Sequence, residues 1–218
     1  IVQRAERIAK KKLPSHATAF RVVVPDQAVR LSLVQAIDFV EPVCDALNGR
    51  YDVVYYPRRV HTTRRISTSL YDLMRCAPDI VVLGAGMRDH AVDIRYGQPT
   101  IDIDEFHHRL YAAVRIIRED FGCQIVYVVN PPAMDTVNEE AFEADAVAVA
   151  EIYAETANLI VRKFGGCVVD VRALYPPDAS LYSSTSKAEM RVRIAKAVSE
   201  AVTEIAQRSG EPRSPVVG

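Results

Sequence analysis

The sequence has no Cys-x-x-Cys pair, no long apolar run and no excess of either charge, and each absence excludes a class of protein. The four cysteines, Cys44, Cys76, Cys123 and Cys167, are widely spaced, which argues against a zinc site and a redox motif. No apolar run approaches the roughly 20 residues of a membrane-spanning helix, so we expect no membrane span in this chain. The 27 basic and 28 acidic residues nearly cancel, so bulk charge favours no nucleic-acid partner.

The bulk properties that remain are those of one globular domain with short tails. The chain has 218 residues, of which 49% are hydrophobic and 25% charged, and its mean hydropathy is +0.00. We expect a basic N-terminal arm over residues 1–18, the domain over 19–208 and a flexible tail over 209–218. A cytoplasmic location is favoured weakly, and because the chain begins at Ile1, an upstream targeting or membrane segment is compatible with it.

Short β-branched runs alternate with helix-length amphipathic segments along the domain. The run AFRVVVP over residues 19–25 predicts strand one, and apolar residues from Gln27 to Val40 predict the helix after it, with a kink at Pro42. Ser186 and Glu189 form a capping-box pattern that predicts the start of the last helix. The remaining strands are predicted over 51–57, 79–84, 124–129 and 167–171, and the remaining helices over 66–76, 104–121 and 138–164.

This alternation predicts a three-layer α/β/α sandwich around a five-stranded parallel sheet of order 2-1-3-4-5. Ligands of such folds bind outside the carboxyl ends of the strands, near the switch point between strands one and three. The polar residues that follow the predicted strands are therefore the candidates for ligand binding: Asp26, Gln27, Arg58, Arg59, His61, Arg88, Asp89, His90, Asn130 and, in the last loop, Asp178 and Tyr182.

Four stretches resemble the conserved blocks of the SGNH, or GDSL, hydrolases, in the family's order over roughly residues 20–205. They are RVVVPDQAV, PDIVVLGAGMRD, VYVVNPPAMD and VVDVRALYPPDASLYSSTSKAEMRVRIAKAV. The resemblance implies the fold predicted above. It also implies a serine esterase or acyltransferase with a catalytic triad and an oxyanion hole.

The residues that such a hydrolase needs are missing from the matching positions. Gln27 stands at the nucleophile position, and Arg88 stands where the family has an oxyanion-hole Asn. Tyr182 lies nearest the place of the catalytic His, after Asp178, and no histidine follows His108 anywhere. Because no serine occurs between Ser15 and Ser32, a one-residue change of alignment does not restore the nucleophile. We therefore expect a degenerate member without ordinary serine esterase chemistry.

Three functions remain open at this point. The leading hypothesis is a domain that binds a small anionic or sugar-like ligand, or a protein partner, in the former active-site crevice, with Arg64 and Arg65 as further cationic residues. The second is an active esterase or acyltransferase with an unorthodox site built from Asp26, His90 or Tyr182. The third is a purely structural interaction domain of a larger chain.

Cofactor and metal sites are expected to be absent. Side chains that suit a metal occur at four positions, Asp26, Asp89, His90 and Asp178. Their spacing along the chain does not indicate a metal site. Asp89 is more simply explained as a residue that caps the loop after strand three. The Gly84-Ala85-Gly86 sequence after that strand does not continue as a dinucleotide-binding motif, because position 89 is Asp.

Overall fold

The computed structural model describes the parts of the chain that build the sheet and its helical layers. These are residues 30–35, 40–47, 50–56, 62–66, 70, 77–84, 89–90, 92–93, 98–129, 140–174 and 184–210. The predicted basic arm lies outside the described residues, as do Val22–Val24, which we predicted to be buried in strand one.

Within the described residues, five parallel strands form the sheet. They are β1 (Arg30–Gln35), β2 (Asp52–Tyr56), β3 (Ile80–Gly84), β4 (Gln124–Val129) and β5 (Cys167–Asp170). Their order is β2-β1-β3-β4-β5, and every neighbouring pair is parallel. The prediction of an all-parallel 2-1-3-4-5 sheet is confirmed. A separate two-residue antiparallel pair joins Val92–Asp93 to Gln98–Pro99.

Helices cover both faces of this sheet. The bounds are α1 (Val40–Leu47), α2 (Ile103–Arg115, continued by a π-helical turn over Ile116–Asp120), α3 (Glu140–Lys163) and α4 (Ser184–Gly210), with a 3₁₀ turn over Val171–Leu174. One core cluster contains residues of α2 and α3, and the other contains residues of α1 and α4. All five residues of β3 are buried, as we predicted for Val81–Leu83. None of the described helices is long and apolar enough to cross a membrane.

The first strand was assigned to the wrong segment. The strand that pairs with both β2 and β3 is Arg30–Gln35, within the segment predicted to be a helix. Apolar residues recur at helical spacing through this region, at Val29, Leu33, Ile37 and Val40, and that wider pattern led to the helix prediction. Within RLSLVQ itself, Leu31 and Leu33 alternate with polar residues as in a strand. The AFRVVVP run has the composition expected of a buried parallel strand, and this composition misled the assignment.

Three predicted helix starts also differ from the structure. Helix α1 begins at Val40, so Pro42 lies in its first turn, where the missing amide hydrogen removes no helical bond and no kink is needed. Helix α4 begins at Ser184, so Ser186 lies inside the helix and is not its cap. The segment after β2 is already helical at Thr63–Ile66, ahead of the predicted start at 66.

Arg118 joins three elements at the amino end of the sheet. Its Nε donates to Phe164 O at 2.8 Å, beyond the end of α3. Its Nη1 donates to Cys123 O at 2.8 Å and to the side chain of Gln124, at the start of β4. One guanidinium thus satisfies carbonyl groups that the ends of helix and strand leave without partners.

We predict that Arg118→Ala lowers the free energy of unfolding by about 1–3 kcal/mol, since it removes charge-assisted hydrogen bonds to partly buried acceptors. Arg118→Lys should recover only part of the loss, because one ammonium group cannot reach all three acceptors. Urea denaturation measures both variants, and the exposed Arg115→Ala on α2 is the matched control. Equal midpoints for Arg118→Ala and Arg115→Ala would contradict this role.

Candidate functional site

The candidate site lies where the carboxyl ends of β1 and β3 meet. Gln35, the last residue of β1, pairs with Gly84, the last residue of β3, and Asp89 and His90 follow five and six residues later. Of the predicted site residues, these two are described. The others lie outside the described residues, and their part in a site stays a prediction: Asp26, Gln27, Arg58, Arg59, His61, Arg88, Asn130, Asp178 and Tyr182.

The revised first strand changes the position of two of these candidates along the chain. Asp26 and Gln27 precede β1, so their assignment to the exit of the first strand is wrong. The residues that follow β1 are Ala36, Ile37 and Asp38. Ligands of doubly wound sheets bind beyond the carboxyl ends of the strands. Ala36, Ile37 and Asp38 therefore replace Asp26 and Gln27 as the residues at the exit of β1.

Asp89 is a fully buried carboxylate that joins two distant segments. Its Oδ2 accepts a hydrogen bond of 2.8 Å from the backbone amide of Thr63, which lies 26 residues earlier and is also fully buried. This contact holds the turn after β2 against the segment after β3, as expected of a loop-capping residue. Among the described residues, Asp89 Oδ1 and Thr63 Oγ1 have no hydrogen-bond partner.

Burial sets the ionisation of Asp89. Loss of hydration is the largest effect and raises the pKa of the carboxyl group to about 6. The adjacent groups of Thr63 and the charge of Arg64 lower the pKa, but they do not offset burial. A carboxyl group in this state can carry a proton at mildly acidic pH, which an exposed aspartate does not.

Hydrogen bonds and ring contacts attach the same segment to the helical layer above it. The carbonyl oxygen of Asp89 accepts the amide of Ile101 at 3.1 Å, and the hydroxyl of Tyr153 donates to the carbonyl oxygen of Ile101. The Tyr153 ring lies 5.9 Å from the buried His90 ring and 4.8 Å from that of Phe106, measured between centroids. Helix α3 therefore helps to fix the position of His90.

A cluster of charged side chains lies next to Thr63. Arg64 donates through Nε and Nη2 to the two carboxylate oxygens of Glu105 on α2, at 2.7 and 2.6 Å. Arg109 donates to Glu105 at 2.6 Å from the same helix. The Arg64 hydrogen bonds, followed by that of Arg109, hold the pKa of Glu105 at about 2. Two guanidinium groups share the carboxylate of Glu105, and the carboxylates of Asp89 and Asp102 also act on Arg64.

In the described part of the chain, no three His, Cys, Asp or Glu side chains come together as a metal site would require. Of the four residues considered above as metal ligands, the structure describes Asp89 and His90. Asp26 and Asp178 lie outside the described residues. His107 and His108 are exposed on α2.

Thr63, Glu105, Tyr127 and Tyr153 are the neighbours of Asp89 that sequence reasoning missed. Thr63 interacts with Asp89 by a hydrogen bond and the other three interact with it electrostatically, and no local motif marks any of them. A separate open groove of about 800 Å³ lies between α1 and α4, on the other face of the sheet from Asp89. It is lined by residues such as Asp45, Arg50, Lys196 and Glu200.

Comparisons with known proteins connect this geometry to a fold family. No protein-family model matches the chain, and no curated protein sequence matches it. A GDSL-like lipase from Parabacteroides merdae superposes with a TM-score of 0.63 at 10% identity, covering 84% of this chain and all of that one. The esterase EstA from Pseudoalteromonas sp. gives a TM-score of 0.59 at 9% identity, covering 82% and 99%.

A catalytic mutant of the acetylxylan esterase Axe2 from Geobacillus stearothermophilus gives a TM-score of 0.57 at 13% identity, over 84% of this chain and 95% of that one. All three identities are too low to carry over an activity, so the agreement concerns architecture. The sheet order, the two helical layers and these superpositions show that the chain has an SGNH/GDSL hydrolase-like fold.

Proposed function

We propose that this SGNH-like domain lacks serine esterase activity and binds a small anionic or carbohydrate-like ligand in the crevice at the carboxyl end of the sheet. The observation that carries the proposal is the sequence that follows the observed β1. Residues 36–43 read AIDFVEPV and contain no serine, threonine or cysteine. A nucleophile is therefore missing after β1, just as it is missing after the strand predicted from sequence.

The absence of a base supports the same conclusion by an independent route. A triad hydrolase of this fold needs a histidine after its last strand, and no histidine follows His108. His90 is buried beside Tyr153 in the segment after β3, with no serine within ten residues of it in the sequence. Loss of the triad leaves only the residual acceleration of about 10³–10⁴ that positioning and an oxyanion hole supply.

The framework around the crevice is nevertheless retained. The buried Asp89 still ties the turn after β2 to the segment after β3, and Tyr153 ties that segment to α3. Arg64 lies next to this contact, and the sequence supplies Arg58, Arg59 and Arg88 near the same strand ends. Guanidinium groups suit carboxylate, phosphate and sulfate, which favours an anionic ligand.

We predict that the purified protein hydrolyses p-nitrophenyl acetate no faster than a heat-denatured sample of the same protein, because neither a nucleophile nor a base is available. An active SGNH esterase assayed in parallel is the positive control. Saturable turnover that heat denaturation abolishes would refute the inactivity.

The ligand-binding part of the proposal is tested separately by thermal melts with phosphate, sulfate, citrate and xylo-oligosaccharides. The last probe is included because one similar structure is an acetyl-xylooligosaccharide esterase. A ligand that binds only the folded state raises the melting temperature in proportion to its saturation of the site. We expect at least one anion to do so, and no shift with any probe would contradict the ligand class.

Arg88 is the residue whose removal distinguishes an anion site from a closed crevice. We predict that Arg88→Ala abolishes the anion-dependent rise in melting temperature and changes stability by less than about 0.5 kcal/mol, as for an exposed substitution. Arg115→Ala, an exposed change on α2, should leave the anion effect intact. A loss of about 3–5 kcal/mol in Arg88→Ala would instead show that Arg88 pairs with a buried carboxylate.

A further inference from the structure

The hydrogen bond between Thr63 and Asp89 joins two segments through a group that can change its charge. Both side chains are fully buried, and the bond runs from the Thr63 amide to Oδ2 of the carboxyl group. The other carboxyl oxygen has no hydrogen-bond partner among the described residues. Within the described residues, the buried carboxylate therefore accepts a hydrogen bond through Oδ2 alone, where an ionised group in water accepts several.

The state of the proton on Asp89 decides what this burial costs. When the carboxyl group is ionised, the closed contact keeps a charge away from water. When it is protonated, the group is neutral, and its burial no longer keeps a charge away from water. The Thr63 amide can still donate to Oδ2. Protonation thus favours the closed arrangement over one in which Asp89 is hydrated.

We propose that Thr63 and Asp89 form a pH-dependent clasp, which is closed when Asp89 is protonated and opens more readily when Asp89 is ionised. Opening would release the helical turn Thr63–Ile66 from the segment after β3. Arg64 belongs to that turn and contacts Glu105 on α2, so opening would also change the position of this cation. The inference concerns the contact itself and does not depend on any ligand.

The charged groups around Asp89 do not remove this dependence. Arg64 on the turn favours the ionised carboxylate, and Glu105 on α2 opposes ionisation, so the two effects act in opposite directions. Burial raises the pKa of Tyr153 to about 12 and that of Tyr127 in β4 as well, so both stay neutral. The other titratable or charged groups near the contact are His90, Asp102 and Arg109.

The direction follows from linkage between the proton and the closed contact. With burial the pKa of Asp89 is about 6, against an ordinary value of 3.8 when the group is hydrated. An acidic group whose pKa is raised in the closed state stabilises that state most when the pH is below the ordinary pKa of 3.8. This stabilisation is lost as the pH rises through about 6. Opening should therefore become easier between pH 4.5 and 7.5.

Amide hydrogen exchange followed by NMR tests the clasp on the intact chain. After correction for the intrinsic exchange rate, the protection of the Thr63 amide should fall by about tenfold or more between pH 4.5 and 7.5. Protection of the Val202 amide in α4 should not fall in parallel, since that helix packs on the other face of the sheet. Asp89→Asn should remove the pH dependence at Thr63, whereas the exposed Asp120→Asn should retain it.

Three results would overturn the clasp. The first is protection of the Thr63 amide that stays constant between pH 4.5 and 7.5, and the second is an equal loss of that protection in Asp89→Asn. The third is a parallel loss of protection at the Val202 amide, which would indicate global unfolding. If Asp89→Asn does not fold, the wild-type protein still decides the matter through the ¹³C shift of the Asp89 carboxyl carbon. A titration midpoint well above that of the exposed Asp120 supports the clasp, and a midpoint equal to it refutes the clasp.

Discussion

Burial of β3 and β4 between two helical layers is the constraint from which the rest of the structure follows. Every residue of β3 is buried, and so are the last five residues of β4. Strands covered on both faces must be apolar throughout, which explains sequences such as IVVLG and QIVYVV. The same burial dehydrates the chain where it leaves β3, so a polar side chain there needs a partner or a proton.

Asp89 shows how that requirement produces a site. The segment after β3 supplies a carboxylate, the turn after β2 supplies an amide donor, and α3 supplies the Tyr153 hydroxyl that holds the neighbouring backbone. The charges of Arg64 and Glu105, which form an ion pair, act on this buried group. The chain at the carboxyl ends of β2 and β3 is therefore held in a fixed framework. A binding role uses that framework without requiring a nucleophile.

Much of the architecture could be predicted because local patterns and burial agree. The strands β2 to β5 are β-branched runs, and Gly122 and Gly165, whose φ angles are positive, mark the ends of the helical segments before β4 and β5. The first strand could not be predicted in this way. Arg30–Gln35 is short and half polar, and the helical spacing of Val29, Leu33, Ile37 and Val40 runs through it. Only its pairing with β2 and β3 identifies it as a strand.

The candidate site was predicted less well for a physical reason. Asp89 and His90 could be identified because they follow an evident strand. Their partners could not, since Thr63 lies 26 residues from Asp89 and Tyr153 lies 52 residues from its acceptor Ile101. Contacts of that separation depend on the packing of whole elements, which no local motif encodes. The wrong placement of Gln27 after strand one followed directly from the wrong strand.

The central claim is that the crevice contains no activated serine. Intact-protein mass spectrometry after incubation with a fluorophosphonate tests it most directly, because the probe forms a covalent bond with an activated serine whatever the natural substrate is. The account predicts an unchanged mass under conditions that fully label an active SGNH esterase. Addition of one phosphonyl group to a specific serine, with Ser183 and Ser184 the first to be mapped, would contradict it.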